Sequence, residues 1–156
     1  MNQRAGCDTL LEGNPAAGCP RGGVVQDIEC IMPTFFVADV ARAAEWYARV
    51  LGFKKSFVVA EPGQAATYCG VELGPATIHL AQREPDTSGL GHRGACYLRL
   101  RSGVDSYVAQ VDATGQRLTS QLKDHDYGMR EATVRDLDGN HIYIGQALEP
   151  HVEANR

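Results

Sequence analysis

Between Asp39 and Gly52 the apolar positions Val40, Ala43, Ala44, Tyr47, Val50 and Leu51 recur every three to four residues, the period of one helix face. Asp39 stands in the N-cap position, Glu45 and Arg49 are spaced i,i+4, and Gly52 sits where a left-handed residue ends a helix. The same device returns later. Ser102 precedes VDSYVAQVDAT, Asp105 holds the capping-box position, Val104, Tyr107, Val108 and Val111 form the stripe, and Gly115 stops it. The cap-to-glycine spacing is identical in the two segments, which marks an internal duplication.

Strand-like runs surround each helix. The first set is Ile28–Val37, Phe53–Ala60, Ala66–Leu73 and Ala76–Ala81; the second is Gly94–Arg101, Arg117–Leu122, Arg130–Arg135 and His141–Gln146. Pro62-Gly63, Gly74-Pro75 and Asp138-Gly139 supply turn chemistry between them. The pattern is βαβββ twice, an α+β fold with modules at 27–82 and 93–148 of one domain, 27–148. One helix per four strands covers one sheet face and leaves the other open as a concave surface. Residues 1–26, rich in Gly, Ala, Pro and Asn, follow neither period and read as a flexible arm, and Glu149–Arg156 is a polar tail.

Composition narrows the partners. With 156 residues, 44% hydrophobic and 22% charged, the chain is suited to a packed core rather than to disorder. A net charge of -4 without any Lys/Arg cluster argues against nucleic acid and anionic membranes. No apolar run approaches the ~18 residues of a membrane span. Met1–Gly23 lacks a signal pattern, and five cysteines without a CxxC pair read as free thiols, so a cytoplasmic protein is expected. GxSxG, Walker-type and GxGxxG motifs are absent from the sequence.

Two stretches carry a family resemblance. MPTFFVADVARAAEWYARVLGF (Met32–Phe53) and YGMREATVRDLDGNHIYIGQ (Tyr127–Gln146) resemble the vicinal oxygen chelate superfamily of glyoxalase I, bleomycin resistance proteins and extradiol dioxygenases, with Leu137 where Pro is usual. The resemblance implies an incomplete barrel around a concave cavity, a homodimer, and a divalent metal held by one residue from each of strands one, four, five and eight. Those positions correspond to Met32, His79, Ala95 and Tyr143. Only His79 is a usual ligand type, whereas a catalytic ion needs about three protein donors. A slip of one residue would bring in Cys96 and still leave too few. No metal ligand set, cofactor or catalytic residue is therefore assigned, and the reading leans away from an enzyme.

Strand alternation sends Ile78, Leu80, Cys96, Leu98, Leu100, Ile142 and Ile144 toward the helices. Met32, Phe36, His79, Tyr97, Arg99, His141 and Tyr143 are left on the open faces as the expected ligand-binding residues, with Trp46 near a rim. Each has a plainer reading: His79 as a hydrogen-bonded strand residue, the tyrosines and Trp46 as packing, Arg99 and Arg101 as solvated or paired with Glu131. Asp124-His125-Asp126 reads as a surface loop and Tyr127-Gly128 as a backbone feature. The expected function is metal-independent sequestration of a partly aromatic or cationic small molecule, as in the bleomycin-resistance branch. The alternatives are a metal-dependent glyoxalase-type lyase, isomerase or dioxygenase centred on His79 with one divalent ion, and a regulatory subunit with a vestigial cavity.

Overall fold

The computed structural model describes residues 30–84 and 93–148, which apart from Cys30 belong to one compact unit. The arm at 1–26, the tail at 149–156, Cys7, Cys19 and His92 lie outside the described residues. Elements follow in the order β1 (Thr34–Val37), α1 (Val40–Leu51), β2 (Lys54–Val59), β3 (Tyr68–Leu73), β4 (Ala76–Gln82), β5 (Ala95–Leu100), α2 (Val104–Ala113), β6 (Leu118–Asp124), β7 (Met129–Arg135) and β8 (His141–Ala147). They form two four-stranded sheets, β1-β4-β3-β2 and β5-β8-β7-β6, which do not close into a barrel. The two are copies of one plan. In each, the first strand runs parallel to the last and the other pairings are antiparallel.

α1 forms where its stripe predicts. The Asp39 carboxylate accepts the Arg42 N–H at 2.9 Å, and Gly52 ends the helix at φ 75°, a left-handed conformation that a Cβ would disfavour. The second helix is capped differently from expectation. Gly103, not Ser102, is its N-cap residue, at φ 80° with no side chain to accept a bond, and the Gln146 side-chain oxygen of β8 accepts the Val104 N–H at 3.1 Å. Asp105 does not close a capping box either. It takes a two-pronged contact from Arg130, which also meets Asp124 at 2.6 Å, and this guanidinium holds the Asp105 carboxyl below its usual range. β1 begins at Thr34 rather than Ile28: residues 30–33 are not strand, and 28–29 lie outside the described residues.

The core occupies the helix-facing sides of the sheets. Phe35, Val37, Ile78 and Leu80 belong with the α1 stripe to one buried cluster, which Ile142, Ile144, Ala132 and Val134 extend to Val104, Val108 and Val111 of α2. Burial of each large aliphatic side chain contributes roughly 1.5–3 kcal/mol. Trp46 is not near a rim. It is 3% exposed, packs edge-on against Tyr47 at 5.1 Å, and donates its indole N–H to Gln116 at 2.9 Å. Arg49 reaches the Thr114 carbonyl, and no Glu45–Arg49 ion pair occurs among the described residues. α1 thus has a second buried side, turned toward the second module.

The two modules are tied together by the Asp136–Asn140 turn. Asp136 is buried and accepts four hydrogen bonds: from the Asp138 and Asn140 N–H groups, the Asn140 side-chain amide, and the Tyr47 phenol of α1. The Asn140 side-chain oxygen accepts the Gly94 N–H at 2.7 Å, and Asp138 accepts the Ala38 N–H at 2.8 Å and faces Arg83 at 3.5 Å. The Tyr107 phenol adds a bond to the Leu51 carbonyl. No helix among the described residues is long and apolar enough to cross a membrane.

Candidate functional site

Each sheet turns an aromatic face away from its helix. In the first module the register sets Thr34 beside His79, Phe36 beside Ala81 and Gly70 beside His79. A β-bulge after Lys55 precedes Phe57, whose ring lies across Gly70, meets His79 edge-on at 5.5 Å and stacks on Tyr68 at 5.9 Å. The ring nitrogen Nδ1 of His79 shares a hydrogen with the Tyr68 hydroxyl at 2.9 Å. His79 therefore has both the plainer role considered for it and a place on the open face. Met32 and Phe36 are half exposed beside it.

In the second module Tyr97 stands opposite Tyr143, Ala95 opposite His141, and Arg99 opposite Gly145. Tyr97 and Tyr143 stack with centroids 6.4 Å apart, and His141 lies 6.1 Å from Tyr143. Tyr97 crosses Gly145, where any side chain would occupy the same space. Its phenol donates to Glu131 Oε1, while the Tyr127 phenol donates to Oε2. His125 Nε2 lies 3.6 Å from the same oxygen, and its ring stacks on Tyr127 at 4.7 Å.

This arrangement keeps Glu131 ionised. Its side chain is only 13% exposed, which alone would raise its pKa, but the Tyr127 and Tyr97 hydroxyls and His125 together bring it below the usual value. The phenols respond in the opposite sense. Burial and then the bond to Glu131 push Tyr97 upward, and the bond to Glu131 pushes Tyr127 up to about 12. Raised phenol values stabilise the fold below the unfolded value near 10 and lose that contribution as pH rises through the folded values. In an alkaline titration followed by phenolate absorbance, Glu131→Gln is expected to return Tyr127 toward 10; an unchanged curve would break the assignment.

Glu131, Tyr127 and His125 were not among the expected site residues. Glu131 pairs with neither Arg99 nor Arg101 among the described residues; its oxygens accept from the two phenols. Asp124-His125-Asp126 is not wholly a solvated loop, because His125 turns back to the sheet. Gly128 does have the positive φ, 80°, expected of it, yet Tyr127 contributes its side chain as well. The Tyr127–Glu131 spacing across a β6–β7 turn was the available signal. The seven expected residues fall into two groups: Phe36 and His79 on the first sheet, with Met32 just before β1, and Tyr97, Arg99, His141 and Tyr143 on the second.

A separate cavity lies along β5. It measures about 530 Å³ and is lined by Leu73, Pro75 and Ala76 of the β3–β4 turn, Tyr97–Leu100, and Tyr107. Only Tyr97 and Arg99 of the expected residues reach it. Cys96 on the same strand is a protonated thiol at neutral pH, since burial and then the Asp136 charge push it up to about 11.

A metal centre does not fit the donors. The four positions that carry ligands in the resembling family hold a thioether, an imidazole already bonded to Tyr68, a methyl group and a phenol. Among the described residues no group of three or more His, Cys, Asp and Glu side chains converges.

The family model described as "Glyoxalase/Bleomycin resistance protein/Dioxygenase superfamily" matches residues 30–144. TioX from Micromonospora sp. ML1 superposes with a TM-score of 0.65 at 24% identity, over 76% of this chain and 98% of that one. A superfamily member from Sphaerobacter thermophilus gives 0.60 at 23% identity, over 76% and 98%. Lactoylglutathione lyase from Agrobacterium tumefaciens gives 0.58 at 18% identity, over 78% and 96%. These likenesses show the fold. No curated protein matches the sequence.

Proposed function

The chain belongs to the Glyoxalase/Bleomycin resistance protein/Dioxygenase superfamily, and we propose that it is a metal-independent binding protein of the bleomycin-resistance type. Its ligand is a partly aromatic, cationic small molecule held against the open sheet faces. One observation carries this reading: an ionised carboxylate, Glu131, framed by the rings of Tyr97, Tyr127, Tyr143 and His125. Rings of this kind offer stacking area and a negative π face to a planar cation, and Glu131 has no Lys or Arg partner among the described residues. The weak metal donor set disfavours the glyoxalase-type alternative. A homodimer is part of this reading, because β2 exposes all six of its residues, including Phe57, Val58 and Val59.

Proflavine, a planar cationic dye, tests the proposal by fluorescence titration and thermal shift. A ligand that binds only the folded chain adds about 2.7 kcal/mol at a hundredfold excess over its dissociation constant. Glu131→Gln is expected to weaken proflavine about tenfold, since hydrogen bonds and close contacts to charged groups contribute about 1.5–3 kcal/mol, and a chelator is expected to leave binding unchanged. Equal affinity in the variant, or binding that needs an added divalent ion, would count against it.

A further inference from the structure

The β5 cavity differs in character from the aromatic faces. The geometry points to a second binding site there, for an amphipathic carboxylate with its chain among Leu73, Pro75, Leu98 and Leu100 and its head at Arg99. This inference does not rest on the function proposed above.

Three observations carry it. First, about 530 Å³ lies within the range of small-molecule pockets, ~300–1,000 Å³, and the walls are mainly aliphatic. Second, the charge on the walls has one sign. Arg99 is the only ionised side chain among the lining residues. It is exposed and makes no hydrogen bond or ion pair with any other described residue. The two phenols in the walls have committed their protons elsewhere, Tyr107 to the Leu51 carbonyl and Tyr97 to Glu131. A cationic head would meet the guanidinium with no carboxylate among the lining residues to offset it, and a neutral head would leave the guanidinium unused.

Third, the cavity follows the free edge of a strand. β5 ends its sheet and pairs only with β8. The Gly94 carbonyl accepts the His141 N–H, so in this parallel ladder Gly94, Cys96, Leu98 and Leu100 direct their backbone groups to β8. The intervening Tyr97 and Arg99 turn theirs to the free edge. Consecutive residues Tyr97–Leu100 all line the cavity, as expected for a space that wraps the edge. Two backbone N–H donors beside one guanidinium make an anion subsite, and guanidinium matches the planar fork of a carboxylate better than a lone lysine would.

Calorimetric titration of the full chain with decanoate, decanol and decylamine distinguishes head-group recognition from generic apolar uptake. Decanoate is expected to bind at one molecule per chain and to exceed both other probes by about tenfold or more, the effect of a charge-assisted hydrogen bond. Arg99→Gln, a change at an exposed position, is expected to remove that preference while leaving residual chain-driven binding. Ala76→Phe, which fills the cavity from the β4 side, is expected to abolish binding of all three, with an unshifted melting temperature showing that the fold survives. Equal affinity for the three heads, decanoate binding untouched by Arg99→Gln, or no decanoate binding at all would overturn the site. Proflavine binding by Ala76→Phe, a position outside the aromatic faces, remains a separate readout, so failure here is distinguishable from failure of the aromatic-face reading.

Discussion

Asp136→Ala is expected to be the most destabilising polar substitution in the molecule, lowering the unfolding free energy by about 3–5 kcal/mol, because buried donors left without acceptors cost about 1–3 kcal/mol each. Four donors converge on this carboxylate, at 2.8 to 3.1 Å. The Asp138 N–H is only part-buried and can find partial relief from water entering the space. The Tyr47 phenol and both Asn140 donors cannot, since Tyr47 and Asn140 are both 0% exposed. Tyr47 belongs to α1 and Asp136 to the loop before β8, so the loss also loosens one module from the other. A fall of about 10–20 °C in melting temperature is expected for a domain of this size. A double-mutant cycle gives the sharper test. Tyr47→Phe alone should destabilise by about 1 kcal/mol, but in the Asp136→Ala background the same change should be neutral or stabilising, because it removes the orphaned hydroxyl. Additive losses would show that Asp136 and Tyr47 do not share one network.

The same turn explains what the sequence made legible. Asp136-Leu137-Asp138-Gly139-Asn140 was recognisable as a turn, and as part of the resemblance, because its residue types are local signals. Its work as an inter-module tie was not legible, since Tyr47, Ala38 and Gly94 are distant in sequence. α1 could be bounded to the residue, because stripe, cap and terminating glycine agreed. α2 could be placed but not capped, since Ser102 is a good cap type and nothing in the sequence says that Gln146 will reach the first N–H from β8. The open faces followed from strand alternation. Glu131 did not, for its partners come from β5 and from the β6–β7 turn, and a glutamate within a strand usually reads as a solvated charge. Trp46 packs, as its plainer reading expects, but not at a rim: helical periodicity identifies one buried face, while α1 buries two. The β5 cavity is a consequence of how two modules sit side by side, and no single-strand pattern reports it.

Close packing at glycines supplies the second large effect. Gly94→Ala is expected to destabilise the protein by about 1–3 kcal/mol, the usual range for overpacking. A Cβ at Gly94 would stand 2.8 Å from both Cδ1 and Cε1 of Phe35, whose ring is 3% exposed within the core. The ring has no open solvent to swing into, because it lies within the buried cluster. The backbone at Gly94 lacks the positive φ of a turn glycine, so strain of the main chain is not the cause. Without the clash, alanine would even stabilise the fold by about 0.4–1 kcal/mol through the unfolded state. Gly145 is the informative contrast. A Cβ there collides with the Tyr97 hydroxyl and lies 2.9 Å from Glu131 Cγ, yet Tyr97 is 42% exposed and free to rotate into solvent. Gly145→Ala should therefore spare most of the stability while breaking the Tyr97–Glu131 bond and weakening proflavine. Denaturant unfolding of Gly94→Ala, Phe35→Leu and the double variant separates packing from other causes. If the Phe35 ring is the obstacle, the double variant recovers part of the loss that Gly94→Ala incurs alone. If Gly94→Ala is as stable as the parent, the ring is mobile and the junction between the modules is looser than its geometry implies.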